Sequence, residues 1–116
     1  MKFYLDKGGQ VLLPAAEGAE CLQRLIPDST DAAQEKHVPQ VSRQGERVEV
    51  RVGENAHPMT EAHLIDWVLL ETDRGHHLRR LTPNDPPQAE FTLERGEEPV
   101  AAYGYCNLHG LWKKEL

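Results

Sequence analysis

From Glu46 onward the chain alternates. Val48, Val50 and Val52 are interleaved with Arg47, Glu49 and Arg51, a period of two that predicts a strand with one dry and one wet face. The stretch from His63 to Glu71 is apolar on both sides, with Ile65, Trp67 and Leu69 on one face and Val68 and Leu70 on the other. That predicts a strand covered on both faces. Gly75 predicts a turn, residues 77–81 a further strand, and Asn84-Asp85-Pro86-Pro87 a loop. Ala89, Phe91 and Leu93 then alternate with Glu90 and Thr92, Arg95-Gly96-Glu97 predicts a hairpin turn, and Val100 to Tyr105 returns as a strand. Five or six short strands with little helix predict an all-β fold, a β-sandwich.

Ahead of this block the pattern is weaker. Asp31 to Lys36 is polar and suits one helical turn, after which Val38-Pro39 forces an extended path. In residues 1–32, Gly8-Gly9 predicts a tight turn and Val11-Leu12-Leu13 a short strand ended by Pro14. Ala15 to Cys21 reads as loop, and Leu22, Leu25 and Ile26 add some apolar surface. So short a unit, without metal or disulfide, does not hold itself together and is expected to pack on the main domain or on a partner subunit.

Composition narrows the function classes. With 116 residues, 39% hydrophobic and 28% charged, the chain suits one core-bearing domain with a small appendage. No apolar run approaches the roughly 20 residues of a membrane span, and Met1 to Asp6 carries no signal-peptide core, so a cytoplasmic location is expected. A net charge of −6 argues against nucleic acid as partner, because backbone binding needs clustered Lys and Arg. The two cysteines, Cys21 and Cys106, are not expected to pair in a reducing compartment.

The candidate chemistry lies in histidine and cysteine. Cys106-Asn107-Leu108-His109-Gly110 puts a thiolate and an imidazole three positions apart in a turn after the last predicted strand. Both are borderline-soft donors suited to iron, copper or zinc. Upstream, His37 precedes Val38-Pro39, and His57 and His63 flank a loop containing Pro58. His76 and His77 fit no ligand spacing and are expected to be exposed turn residues. Trp67 and Trp112 are expected in the core or an interface, and Glu61 in solvent.

Taken in order, Glu35-Lys36-His37-Val38-Pro39, His57-Pro58-Met59-Thr60-Glu61-Ala62-His63 and Cys106-Asn107-Leu108-His109-Gly110, followed by Leu111-Trp112-Lys113, resemble the superoxide reductases of the desulfoferrodoxin and neelaredoxin family. The match spans roughly residues 31 to 113. The resemblance implies an immunoglobulin-like sandwich over residues 33–116. It implies a mononuclear iron held by His37, His57, His63, Cys106 and His109, with the sixth position open. Superoxide would be reduced there by one electron to hydrogen peroxide, without release of oxygen. Lys36 would attract the anion and Glu35 would occupy the open position of the ferric site. Residues 1–32 resemble the family's desulforedoxin-like unit in its vestigial form: Cys21 alone remains of four cysteines, and one thiolate makes no tetrahedral iron site. A rubredoxin-like electron donor and a dimer or tetramer are further implications. Without catalysis, the same fold would serve as a metal-binding or redox-sensing protein. A metal-free immunoglobulin-like interaction domain is a third reading. The amide after Cys106 is expected to donate to its sulfur.

Overall fold

In a computed structural model of the chain, residues 1–13 and 22–116 are described; the readings of Pro14 and of residues 15–21, Cys21 among them, lie outside these. Seven strands build the sandwich. One antiparallel sheet has the order β4 (Pro39–Gln44), β5 (Arg47–Val52), β8 (Gln88–Thr92). The facing sheet has the order β10 (Gly110–Glu115), β9 (Pro99–Cys106), β6 (Ile65–Thr72), β7 (Gly75–Arg80). Val48, Val50 and Val52 of β5 turn inward and are 0–1% exposed. They meet Val68, Leu70, Ala102, Ala89 and Phe91 in one core cluster.

The other face of the larger sheet is covered too. A small antiparallel sheet, β2 (Val11–Leu12), β1 (Phe3–Leu5) and β3 (Gln23–Leu25), lays Phe3 against Leu69, Tyr103 and Leu111. Fully burying a side chain like that of Phe3 stabilises by roughly 1.5–3 kcal/mol, so the N-terminal unit draws its stability from the sandwich. Asp28 fastens the junction: its N–H donates to the Leu111 carbonyl at 2.9 Å, and its Oδ1 accepts from the Lys113 N–H at 3.0 Å.

Several features depart from the sequence reading, among them β1 and β3, which it did not mark as strands, and residues 95–97, which join β8 of one sheet to β9 of the other and so close no hairpin. The chain after His109 forms the strand β10, so the Cys-x-x-His stretch is a hairpin turn between β9 and β10. Strand β4 precedes the first alternating run and pairs with it across Gly45. Ile65 shares a face with Val68 and Leu70, not with Trp67 and Leu69. The cause is a β-bulge: Ile65 pairs with Cys106 and Trp67 with Tyr105, leaving Asp66 as an extra residue that flips the alternation. Among the described residues no helix is long and apolar enough to cross a membrane.

Candidate metal centre

Four chain segments converge at one end of the sandwich. His37 closes the single helical turn α1 (Gln34–His37) and is buried. The turn ends because Val38 is extended (φ −70°, ψ 123°), as required before Pro39. It is pinned from behind by the loop after β5: the Gly53 N–H donates to the Val38 carbonyl at 3.2 Å and the Asn55 N–H to the Glu35 carbonyl at 2.9 Å. Gly53 has φ +90°, and a Cβ there would lie 2.7 Å from the Lys36 carbonyl oxygen, so only glycine suits this contact. The same loop carries His57, whose N–H donates to the Val52 carbonyl at 3.3 Å.

His63 ends a tight turn in which the Thr60 N–H donates to the His63 carbonyl (2.9 Å) and the His63 N–H donates to Thr60 Oγ1 (3.1 Å). Cys106 is the last residue of β9, its side chain inward and 0% exposed. His109 sits in the hairpin turn, which closes through Gly110 at φ +80°.

The four imidazoles form a closed ring. Successive centroids are 4.8 Å (His37–His57), 4.6 Å (His57–His63), 5.2 Å (His63–His109) and 5.0 Å (His109–His37) apart. Each neighbouring pair is edge-on, with interplanar angles of 74–89°. Donor atoms of His37, His57, His63 and Cys106 all lie within 4.8 Å of one another. His109 Nδ1 joins them, 3.2 Å from His37 Nε2 and 3.9 Å from Cys106 Sγ.

Second partners fix the tautomers. His37 Nδ1 donates to the Ala33 carbonyl and His57 Nδ1 to the Pro58 carbonyl, each at 2.7 Å. A neutral ring that donates from Nδ1 aims a bare lone pair from Nε2. Burial, reinforced by the neighbouring imidazoles, keeps both rings neutral: it lowers the pKa of His37 and brings that of His57 from 6.5 to about 4. Burial likewise raises the Cys106 thiol, and the amides of His109 and Leu108 pull it partway back. His57 Nε2 and His63 Nε2 are buried and have no hydrogen-bond partner. Buried polar atoms are normally satisfied, so two orphaned nitrogens beside a thiol and two more imidazoles fit a metal cation.

The chain is similar to known proteins over most of its length. The family model described as desulfoferrodoxin matches residues 29–115. A desulfoferrodoxin of Clostridium acetobutylicum is 39% identical over 99 residues, covering 85% of this chain and 77% of that protein. The chain belongs to the desulfoferrodoxin family. A superoxide reductase of Pyrococcus horikoshii is 34% identical over 105 residues, covering 76% of this chain and 91% of its own length. The crystal structure of the superoxide reductase from Treponema pallidum superposes with a TM-score of 0.84 at 35% identity, covering 99% of this chain and 100% of that one.

In this desulfoferrodoxin-family chain, Glu35 and Lys36 stand exposed on α1, immediately before the buried His37. One expectation about the thiol fails. The Asn107 N–H, next after Cys106, donates to the Leu64 carbonyl at 3.2 Å; the sulfur accepts instead from the His109 N–H at 3.3 Å. Trp112 does more than fill the core. It is 2% exposed, stacks on the His37 ring at 5.0 Å, and donates its indole N–H to the His109 carbonyl at 3.0 Å. It therefore braces two rings of the site. No residue pattern in the sequence signals this role, which follows from the register that pairs Trp112 with Gly104 across the hairpin. His77 also differs from expectation. It lies on β7, half-buried, with Nε2 3.0 Å from Glu97 Oε2, far along the sheet from the ring of imidazoles. His76 is exposed, as expected, but on a strand. Glu61 is exposed.

Proposed function

We propose that the protein is a superoxide reductase: superoxide accepts one electron and two protons and leaves as hydrogen peroxide. The carrying observation is the pair of buried, unpartnered nitrogens, His57 Nε2 and His63 Nε2, inside a ring of four imidazoles with the Cys106 sulfur beside it. Burying such groups costs free energy unless a cation takes their lone pairs. His37, His57, His63 and His109 would hold a mononuclear non-haem iron through nitrogen, and Cys106 through sulfur. Five donors exceed the tetrahedral set of structural zinc. When bound, the iron supplies the ferrous–ferric couple and an open position for an anion.

The chain's own groups prepare that chemistry. The Ala33 and Pro58 carbonyls hold two rings in the donor tautomer. On binding a cation Cys106 would release its proton to solvent, and the thiolate charge would stabilise the oxidised cation, which favours giving the electron away. Lys36 places a positive charge on the exposed turn beside the centre, offsetting locally a net charge of −6 that repels superoxide. Its ammonium can also hold water for the proton that completes hydrogen peroxide. Glu35 is the carboxylate that would occupy the open position in the oxidised protein. An external one-electron donor, a rubredoxin-like protein, returns the centre to its reduced state. Phe3, Val11, Leu13 and Leu25 of the N-terminal unit support the outer face of the larger sheet.

Stopped-flow mixing of reduced, iron-loaded protein with superoxide tests the assignment. The oxidised protein is expected to show a visible thiolate-to-iron band. Superoxide consumption no faster than that of Cys106→Ser would sink the enzyme reading.

A further inference from the structure

We propose that Asn107 is a positioning residue that fixes the register between two halves of the metal centre, His63 on one side and Cys106 with His109 on the other. The proposal rests on the metal-centre reading above. Its evidence is three hydrogen bonds joining segments that lie about forty residues apart in the chain. Asn107 Oδ1 accepts from the Leu64 N–H at 3.0 Å, Asn107 Nδ2 donates to the Ala62 carbonyl at 3.1 Å, and the Asn107 N–H donates to the Leu64 carbonyl at 3.2 Å. These bonds bracket His63 from both sides, one residue before it and one after. On the other strand they start one residue after Cys106 and two before His109.

The need for such a tie follows from the sheet. Ile65 and Cys106 form the last rung of the β6–β9 ladder, and the ladder is loosened just inside that rung by the bulge at Asp66. A bulge disrupts pairing locally and lets a strand end shift. His63 lies beyond the rung, in a turn whose other hydrogen bonds run back to Thr60. Nothing else in the ladder would set its distance from the Cys106 sulfur. Leu64 is 8% exposed, so its N–H needs an acceptor, and Asn107 Oδ1 is that acceptor.

Asparagine suits the task by its chemistry. Its amide accepts and donates at once from a short, planar group. Aspartate keeps the acceptor and loses the donor; alanine loses both. Groups that orient metal ligands from one shell out alter metal affinity by roughly 10–100-fold when removed.

The test uses the full chain with cobalt(II) as the optical probe, comparing wild type, Asn107→Asp and Asn107→Ala. In metal-free protein, Asn107→Ala is expected to speed exchange of the Leu64 amide while core amides such as those of Val68 and Leu70 keep their rates. In cobalt-loaded protein, release to a chelator is expected to accelerate about tenfold and the thiolate-to-cobalt band to shift, with Asn107→Asp in between. An unchanged Leu64 amide, or release within about twofold of wild type, overturns the proposal. So does uniform acceleration of all amides, which would make Asn107 a general stabiliser. If wild type itself takes up no cobalt, the metal-centre reading falls, and the Leu64 amide still decides the register.

Discussion

Each end of the sandwich brings histidine against buried polar atoms, and the two ends differ in whether those atoms are satisfied. At the β6–β7 turn, Glu97 is 3% exposed. Its carboxylate accepts from Thr72 Oγ1 at 2.6 Å and from the Glu94 N–H at 2.9 Å, with His77 Nε2 at 3.0 Å. At the opposite end, His57 Nε2 and His63 Nε2 face one another's neighbourhood with no partner. The first arrangement is complete as a protein. The second leaves lone pairs that a cation can take. Unmet lone pairs, more than the presence of histidine, separate a ligand set from a structural network.

The sharpest way to break this contrast is to delete a group from each end. Cys106→Ser and His57→Ala are expected to abolish the visible band of the oxidised protein. They should lower the superoxide rate by more than about 100-fold, since groups one shell further out already cost about 10–100-fold. His77→Ala should leave band and rate within about twofold. Metal addition should raise the melting temperature of wild type and of His77→Ala but not of His57→Ala. Equal loss of activity at both ends would erase the distinction.

Gly53→Ala probes the metal end without touching a donor atom. The added Cβ would meet the Asn55 carbonyl oxygen and lie 2.7 Å from the Lys36 carbonyl oxygen at a φ of +90°, a strain of about 1–3 kcal/mol. The loop after β5 and the α1 turn it pins are expected to shift apart, disturbing His37. Thermal unfolding and chelator competition should both show the loss. Full metal affinity in a destabilised variant would mean that α1 adjusts independently of His37.

Acid separates the ends by pH window. Three hydrogen bonds, that from Thr72 foremost, lower the Glu97 pKa from 4.5 to about 2. The ionised carboxylate therefore favours the folded state above pH 4.5, and this contribution disappears as pH falls toward 2. In metal-free protein, the burial-driven lowering of His57 from 6.5 to about 4 acts higher: stability is full above pH 6.5 and declines as pH falls toward 4. Urea midpoints against pH should show two steps. Glu97→Gln should remove the lower one and leave the upper one. A single step insensitive to Glu97 would show that its network adds nothing to acid stability.

Much of this contrast was legible in the sequence and part was not. Alternation identified β5 and β8 because each has one wet face, and the donor residues His37, His57, His63, Cys106 and His109 stood out as a set through the family resemblance of their motifs. Strand β4 was silent because Val41 is its lone apolar side chain after Pro39. Strand β10 was hidden because Leu111 and Trp112 serve opposite faces, one toward the N-terminal sheet and one toward His37. The bulge at Asp66 cannot be seen in a period-two pattern, so Ile65 was read onto the wrong face. The bracing by Trp112, the tie through Asn107 and the His77–Glu97 contact all depend on register across strands, which residue types alone do not carry.

The smallest expected effect belongs to Lys36. It is exposed beside the buried His37, where water screens its charge to roughly a twentieth to a fifth of its dry value. One such charge acts chiefly on the approach of the anion. Lys36→Ala should therefore slow second-order consumption of superoxide by about two- to tenfold at low salt, with no change in the visible band. The loss should shrink as ionic strength rises toward 0.15 M, where the Debye length is about 8 Å. Lys36→Arg should restore most of the rate, because it restores the charge. A deficit that persists unchanged at high salt, or that arginine fails to repair, would assign Lys36 to proton delivery instead of attraction.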